Sequence, residues 1–129
     1  MERADDFKSN LTGKEVDEIL IRIGDSINHT VTPNNIIFHK IASFTFDTFV
    51  HGVVIKIVQP FDAEALEGTI DIEDGDGNVF AVIDSELLMT EDLSIHYSIN
   101  RVIRAGSSIG LRSSHSKAKG SLMCKALVG

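Results

Sequence analysis

The chain has 129 residues, of which 43% are hydrophobic and 24% are charged, and its formal net charge is −7. This length and composition suit one globular domain with its own core. The acidic balance argues against functions that depend on neutralising phosphates, so we expect neither nucleic acid nor an anionic membrane as a partner. The sequence also lacks a stretch typical of a signal peptide or a membrane span, which predicts synthesis in the cytoplasm.

Two segments precede the main part of the chain. Residues 1–10 are polar and are predicted to form an N-terminal arm. Residues 11–27 have the pattern of an amphipathic helix, which opens with a capping box from Thr12 to Glu15. Behind this start, apolar residues recur at helical spacing, and four of them keep alternating steps of four and three: Val16, Leu20, Ile23 and Ile27.

The spacing of these four residues allows two interpretations. Steps of four and three are typical of a coiled-coil interface, which would let the helix join copies of the chain. The same stripe would equally suit a helix that lies on its own β domain. We therefore predict a helix here, and we take the four residues as the candidate surface for self-association.

Residues 35–129 read as a β domain. β-branched and aromatic residues fill short runs, beginning with residues 36–46, and His51 and Gly52 predict a break before the next strand. Pro60 should end that strand, because proline cannot donate to a ladder. Asp74 to Asn78 has the composition of a hairpin turn. The spacing of roughly eight such strands predicts a mainly β fold, a jelly-roll-like antiparallel sandwich behind one helix.

The acidic turn also invites a calcium interpretation. Asp74, Asp76 and Asn78 fall at the first, third and fifth positions of an EF-hand loop, but the sixth position is Val79 instead of glycine. The twelfth position is Ser85 instead of a bidentate glutamate. A plain hairpin tip is the stronger interpretation, and a weak calcium site of another kind stays open.

No other residue pattern indicates a reactive centre. The five histidines show no spacing of a metal pair on one element. Those in predicted strands, His39 and His96, suit structural, hydrogen-bonded imidazoles. Cys124 is surrounded by apolar residues, which predicts a buried, unreactive thiol. Serines on small-residue turns lack the context of a nucleophile. We predict no catalytic residue, no metal site and no cofactor, and hence a protein that is not an enzyme.

Two stretches resemble a known group of proteins. Residues 11–20 (LTGKEVDEIL) are similar to a helix opening near the N-termini of many phage structural and fibre proteins. Residues 54–62 (VIKIVQPFD) resemble a strand-then-"PFD" element of small β domains in phage virion proteins. In this chain, as in those virion proteins, the same features then follow in order. They are a Gly/Asp turn at 74–78, Leu-Met at 88–89, Asp-Leu at 92–93 and Gly-Ser at 120–121. Together they cover most of the chain, although residues 83–91 depart from the pattern.

The resemblance implies a β-sandwich or jelly-roll subunit in the virion of a tailed bacteriophage. The leading expectation is a capsid decoration (cement) protein that binds the outer capsid lattice and stabilises it as a homo-oligomer, with a homotrimer favoured. Its partner would be the major capsid protein, and its location would be the capsid surface. The arm would contact the lattice, and the residues of the arm expected to do so are Met1, Glu2, Arg3, Phe7 and Lys8.

Two further functions compete with this expectation. A tail, fibre or head-spike component would present exposed loops, such as residues 63–68 or 113–120, to a host glycan. An enzyme or ligand-binding domain of a cell would need a pocket with convergent polar groups and perturbed titratable residues. The absence of internal repeats favours the cement function over a fibre.

Overall fold

The computed structural model describes residues 14–15, 18–23, 38–61, 68–114 and 118–129. The predicted arm, residues 1–10, lies outside these ranges. The described part is mainly β, as the sequence predicts. Its elements are β1 (Lys14–Glu15), β2 (Ile19–Ile23), β3 (Phe38–Ser43), β4 (Thr48–Gln59), β5 (Ile70–Asp74), β6 (Val79–Ile83), α1 (Ser85–Leu88), β7 (Ser94–Ile103), β8 (Ser108–Ser113) and β9 (Gly120–Val128).

The strands form two antiparallel sheets. In sheet I, β9 lies between β4 and the pair β1 and β2, and β7 pairs with the other side of β4. In sheet II, the order is β3, β8, β5 and β6. The pairs β2–β9, β3–β8, β4–β7 and β5–β6 are therefore nested around the β5–β6 turn, and successive pairs alternate between the two sheets.

The core lies between the two sheets and is made of the alternate residues of each strand. In β4, for example, Val53, Ile55 and Ile57 have no exposed surface, whereas Lys56 and Val58, which point to the opposite face of the strand, are exposed. This period of two places one face of each strand in the core. The residues fully buried from both sheets include Ile55, Ile57, Ile72, Ile109, Leu111 and Leu122.

The predicted helix of residues 11–27 is wrong where the structure describes it. Residues 19–23 form strand β2, which pairs with β9 from Ile19 opposite Cys124 to Ile23 opposite Gly120. The run Ile-Leu-Ile-Arg-Ile is rich in β-branched residues, which favour a strand when a partner strand is available. Ile21 and Ile23 face the core, and Leu20 and Arg22 face away from it.

The predicted break at His51 and Gly52 is a second correction. β4 continues through both residues, and the register shifts between Val50 and Gly52 against both neighbouring strands. A β-bulge of this kind absorbs an extra residue without ending the strand. Pro60 does end β4, as predicted, since the strand stops at Gln59.

A short helix was missed by the sequence analysis. α1 follows β6 directly, and the side chain of Asp84 accepts a hydrogen bond from the backbone of Glu86 at 2.9 Å. This is the geometry of an N-cap. Leu88 at the end of α1 is fully buried, so the helix covers one end of the core.

The opposite orientations of Leu20 and Ile23 can be tested by substitution. Ile23 is 1% exposed, and we expect Ile23→Ala to lower the free energy of unfolding by about 2–5 kcal/mol, because it removes buried methyl groups and leaves a cavity. Leu20 is 36% exposed, and Leu20→Ala should cost less than about 1 kcal/mol. Urea denaturation measures both. Equal losses for the two variants would contradict the strand.

Cys124 is buried in β9, as the sequence predicts. It is 1% exposed, and burial raises the pKa of its thiol to about 12. Since the thiolate is the reactive form, the folded protein should not react with a disulfide reagent such as DTNB at pH 8. We expect one thiol equivalent to react after unfolding in urea. Rapid stoichiometric labelling of the folded chain would show that the site opens.

Candidate functional site

Three connecting loops meet at one end of the sandwich, which we call the loop end. They are residues 44–47 between β3 and β4, 75–78 between β5 and β6, and 104–107 between β7 and β8. Antiparallel connections alternate between the two ends of a sandwich, so loops that are two strands apart share an end. Gly129, which follows β9, lies here as well, because its backbone N–H donates to the carbonyl of Phe49 at 3.1 Å.

Hydrogen bonds join the three loops to one another. The backbone of Phe44 donates to Ser107 at 3.1 Å, and Gly106 donates back to Phe44 at 2.8 Å. The carboxylate of Asp47 accepts from the backbone of Ala105 at 2.9 Å. Gly75 donates to the carbonyl of Ser108 at 2.9 Å. These hydrogen bonds restrict the movement of each loop relative to the others, so the loop end is a rigid surface.

A polar cleft of about 300 Å³ opens at the loop end between the edges of the two sheets. Arg101 crosses it, with its guanidinium carbon 5.5 Å from the centre of the Phe80 ring, which is within cation–π range. The cleft brings together side chains from distant parts of the sequence: Asp74, Asp76, Asn78, Phe80, Arg101, Arg104 and Ser107. The mixture of carboxylates, guanidinium groups and a hydroxyl can bind a polar ligand by hydrogen bonds.

Asp74 organises the hairpin turn beside this cleft. One carboxylate oxygen accepts from the backbone of Asp76 and of Asn78, both at 2.9 Å, and the other accepts from the Asn78 amide at 2.8 Å. Burial alone would raise the pKa of this carboxyl, but the hydrogen bonds outweigh it and hold the pKa below its ordinary value. Gly77 has a φ of 92°, which a glycine adopts without strain. The predicted hairpin is confirmed.

These contacts bear on the calcium interpretation of the turn. Both oxygens of Asp74 already accept hydrogen bonds from the turn itself. Within the described ranges, no group of three or more His, Cys, Asp or Glu side chains is arranged to hold a metal ion. The turn is thus closed by its own amides.

Replacing Asp74 should reveal the role of its carboxylate. We expect Asp74→Ala to lower the free energy of unfolding at pH 7 by about 1–2 kcal/mol, because amides of the turn lose their acceptor. The pKa of Asp74 is lowered in the folded state, so its stabilisation is present above the ordinary value of 3.8 and is lost as the pH falls through the folded value. Urea denaturation at pH 7 and pH 2 measures the difference.

The matched control for this experiment is Asp76→Ala, which removes an exposed carboxylate from the same turn. Its effect should be small at both pH values. A loss for Asp74→Ala that stayed constant down to pH 2 would contradict the assigned role.

A second, apolar cleft of about 240 Å³ lies at the same end. It is lined by Ser43, Phe44, Phe46, Asp47, Thr48, Phe49, Val128 and Gly129. Phe44 is buried and Phe49 is half-buried, but Phe46 is 55% exposed. A large aromatic side chain exposed next to others of its kind is a feature of interaction surfaces.

The outer face of sheet II carries a structural ion pair. Glu73 is 4% exposed, and Arg112 donates to it from Nε at 3.0 Å. The guanidinium also lies 5.4 Å from the centre of the Phe38 ring. Gly110 leaves room for that ring, because a Cβ at this position would lie 2.8 Å from Phe38 Cζ. This arrangement neutralises a buried carboxylate and offers no open site.

His39 and His96 lie in strands, as predicted. Burial and the nearby Arg112 lower the pKa of His39. The prediction of a hydrogen-bonded imidazole is wrong for one nitrogen, since Nε2 of His39 is buried without a partner among the described residues, as is Oδ1 of Asp71. His96 is exposed and its ring lies over Gly52.

The structure separates the residues that the sequence grouped for self-association. Leu20 is partly exposed, whereas Ile23 is buried in the core, so the two cannot form one contact surface. Val16, Ile27 and the arm residues lie outside the described ranges. Of the predicted glycan loops, residues 63–67 of the first and residues 115–117 of the second lie outside the described ranges.

Neither cleft is predicted by the sequence, and the residues that line them show why. The polar cleft joins residues 74–80 to residues 101–107, and the apolar cleft joins residues 43–49 to residues 128–129. No local spacing connects such segments. The cluster of three phenylalanines at positions 44, 46 and 49 was the one available signal, and alternation accounted for it as a strand.

Comparison with models of known protein families gave no match, and neither did comparison with curated proteins or with solved structures. Within the described part of the chain, no helix has the length and apolar character needed to cross a membrane.

Proposed function

We propose that this protein is a virion structural protein built on a jelly roll, and specifically a capsid decoration protein of a tailed bacteriophage. The observation that carries the proposal is the nested strand order. A jelly roll is a long antiparallel ribbon wound so that its strand pairs alternate between two sheets, and the pairs β2–β9, β3–β8, β4–β7 and β5–β6 have that order. Jelly rolls are a frequent fold of viral capsid proteins and lectins.

The loop end supports a role in binding a surface. Its three loops are held by mutual hydrogen bonds, so they lose little conformational entropy when they meet a partner. Arg101 and Arg104 place two cations there on a chain of net charge −7. Because Asp74 and Asp76 lie beside them, the loop end has a surface of mixed charge, and a partner with the complementary charge pattern would bind it in one orientation.

The arm would leave the domain at the same end. β1 pairs Lys14 with Val128 at the loop end of β9, and residues 1–10 precede β1 in the chain. In our proposal the loop end faces the major capsid protein, and the polar residues of the arm extend over the lattice. Several copies in one homo-oligomer, a trimer in our proposal, then bind with more affinity than any single contact provides.

The proposal is tested by adding the purified protein to phage capsids that lack it. We expect saturable binding at a fixed ratio to the major capsid protein and a higher temperature of capsid disruption. Arg104→Glu should weaken binding by about tenfold or more, because it reverses a charge at the loop end. Sedimentation of the capsids with bound protein measures both.

Lys119→Glu is the matched control. It makes the same change in charge at an exposed residue just before β9, at the end of that strand remote from Val128. It should bind like the unmodified chain. Absence of binding at micromolar concentrations, or equal weakening by both variants, would refute this orientation on the capsid.

The polar cleft favours a second candidate, a tail or head-spike protein that binds a host glycan. Its carboxylates, guanidinium groups and Asn78 are groups that hydrogen-bond saccharide hydroxyls, and Phe80 lies beside them. If the chain ignores capsids and binds saccharides, with binding lost in Arg101→Ala, this candidate replaces the first.

A further inference from the structure

We propose that the apolar cleft at the loop end is the binding site for Phe7 from the N-terminal arm of a second copy of this chain. The inference deepens the proposed function, and it rests on that function for the expectation that copies meet on a surface. It assigns the contact between neighbouring copies to one aromatic side chain and one cleft.

The cleft is preformed around an exposed aromatic ring. The hydroxyl of Thr48 donates to the carbonyl of Phe46 at 2.8 Å, and the carboxylate of the adjacent Asp47 accepts from Ala105 at 2.9 Å. Phe44, on the other side of Phe46, makes two backbone hydrogen bonds to the loop of residues 104–107. The segment is thus fixed on both sides while Phe46 stays 55% exposed. Binding of an apolar side chain would remove the exposed surface of the Phe46 ring from water, which is favourable.

The path of the chain points from the sheet to this cleft. Lys14 is paired with Val128, and Val128 is one of the residues that line the cleft. β1 runs antiparallel to β9, so Lys14, the first described residue of the chain, lies at the loop end of β9, beside the cleft. Thirteen residues precede Lys14 in the sequence.

The length of that segment allows Phe7 to enter the cleft of a neighbouring copy. Phe7 precedes Lys14 by seven residues, and seven extended residues reach about 23 Å at roughly 3.3 Å each. The chain's own cleft begins at Val128, directly across from Lys14, so this reach extends beyond it, and the cross-linking experiment below distinguishes the two clefts.

The chemistry of Phe7 matches the cleft. It is the one aromatic residue among residues 1–13, and the two residues on each side of it (Asp5, Asp6, Lys8 and Ser9) are polar. The cleft offers rings of Phe44, Phe46 and Phe49. Aromatic pairs in offset or edge-to-face geometry attract each other beyond the effect of buried area alone. A volume of about 240 Å³ accommodates one phenyl ring.

The consequence is a division of roles within the arm. Phe7 links one copy to the next, and the charged residues near the start of the arm stay available for the lattice. Each copy both provides an arm and accepts one, so the contact can form closed rings such as trimers.

The first experiment measures self-association of the full chain by sedimentation equilibrium from micromolar to near-millimolar concentrations. We expect Phe7→Ala and Phe46→Ala each to raise the dissociation constant by about tenfold or more, as for an aromatic anchor and its pocket. The double variant should be no weaker than either single one, because both remove the same contact. Val79→Ala, which shortens a side chain 51% exposed on β6, is the control and should associate normally.

The second experiment identifies the occupant by cysteine cross-linking, with Cys124 buried and out of reach. Lys8→Cys places a thiol next to Phe7, and Ser43→Cys places one at an exposed position that lines the cleft. A mixture of the two single variants should form a disulfide between unlike chains on mild oxidation. A chain that carries both substitutions should cross-link into oligomers as well.

Two outcomes would overturn the inference. If the doubly substituted chain closes only on itself and the mixture stays monomeric, the arm occupies its own cleft. If neither cross-link forms and association is unchanged in Phe46→Ala, the cleft serves a different partner. Capsid binding that survives in a monomeric Phe7→Ala chain would leave the proposed function intact, whereas arm exchange without capsid binding would remove that function and keep the inference.

Discussion

The pairing of β9 with β4 is the interaction on which the rest of the structure depends. β9 lies inside sheet I, with β4 on one side and β1 and β2 on the other, and it pairs with β4 from Val128 to Ser121. Its inward residues, among them Leu122, Cys124 and Ala126, supply the centre of the core. The strands that pair with β9 (β1, β2 and β4) are all distant from it in sequence. The sheet therefore forms only when the two ends of the described chain come together, and such long-range pairings make folding slow.

The same pairing determines where the apolar cleft lies. β9 delivers Val128 and Gly129 to the loop end, and β4 begins there with Thr48 and Phe49. The register of β4 against β9 thus forms the apolar cleft from residues 43–49 and 128–129, which are about eighty residues apart in the sequence. Arg101, Arg104 and both clefts share this end.

The parts of the fold that were predictable depend on short-range rules. The turn at Asp74 to Asn78 was predictable, because aspartate and glycine close a hairpin by contacts within five residues. Pro60 ended β4 for an equally local reason.

The errors came from patterns that two structures satisfy. Ile19 and Ile23 fit one helical face at a spacing of four, yet a period of two also places Ile21 and Ile23 on one face. Only the presence of β9 as a partner decides for the strand. His51 and Gly52 resemble a break, but their neighbours on both sides hold them in a bulge. The clefts depend on which loops share an end, and that follows from topology.

The hydrogen bonds between the loops have a consequence for how this protein can evolve. The contacts of Phe44 with Ser107 and Gly106, and of Asp47 with Ala105, join two loops that lie far apart in the sequence. A change in the length of one loop displaces the other, so insertions or deletions at this end are tolerated only when the two loops change together. The two loops would therefore evolve together, while exposed residues of the outer sheet faces that make no such contacts can change one at a time.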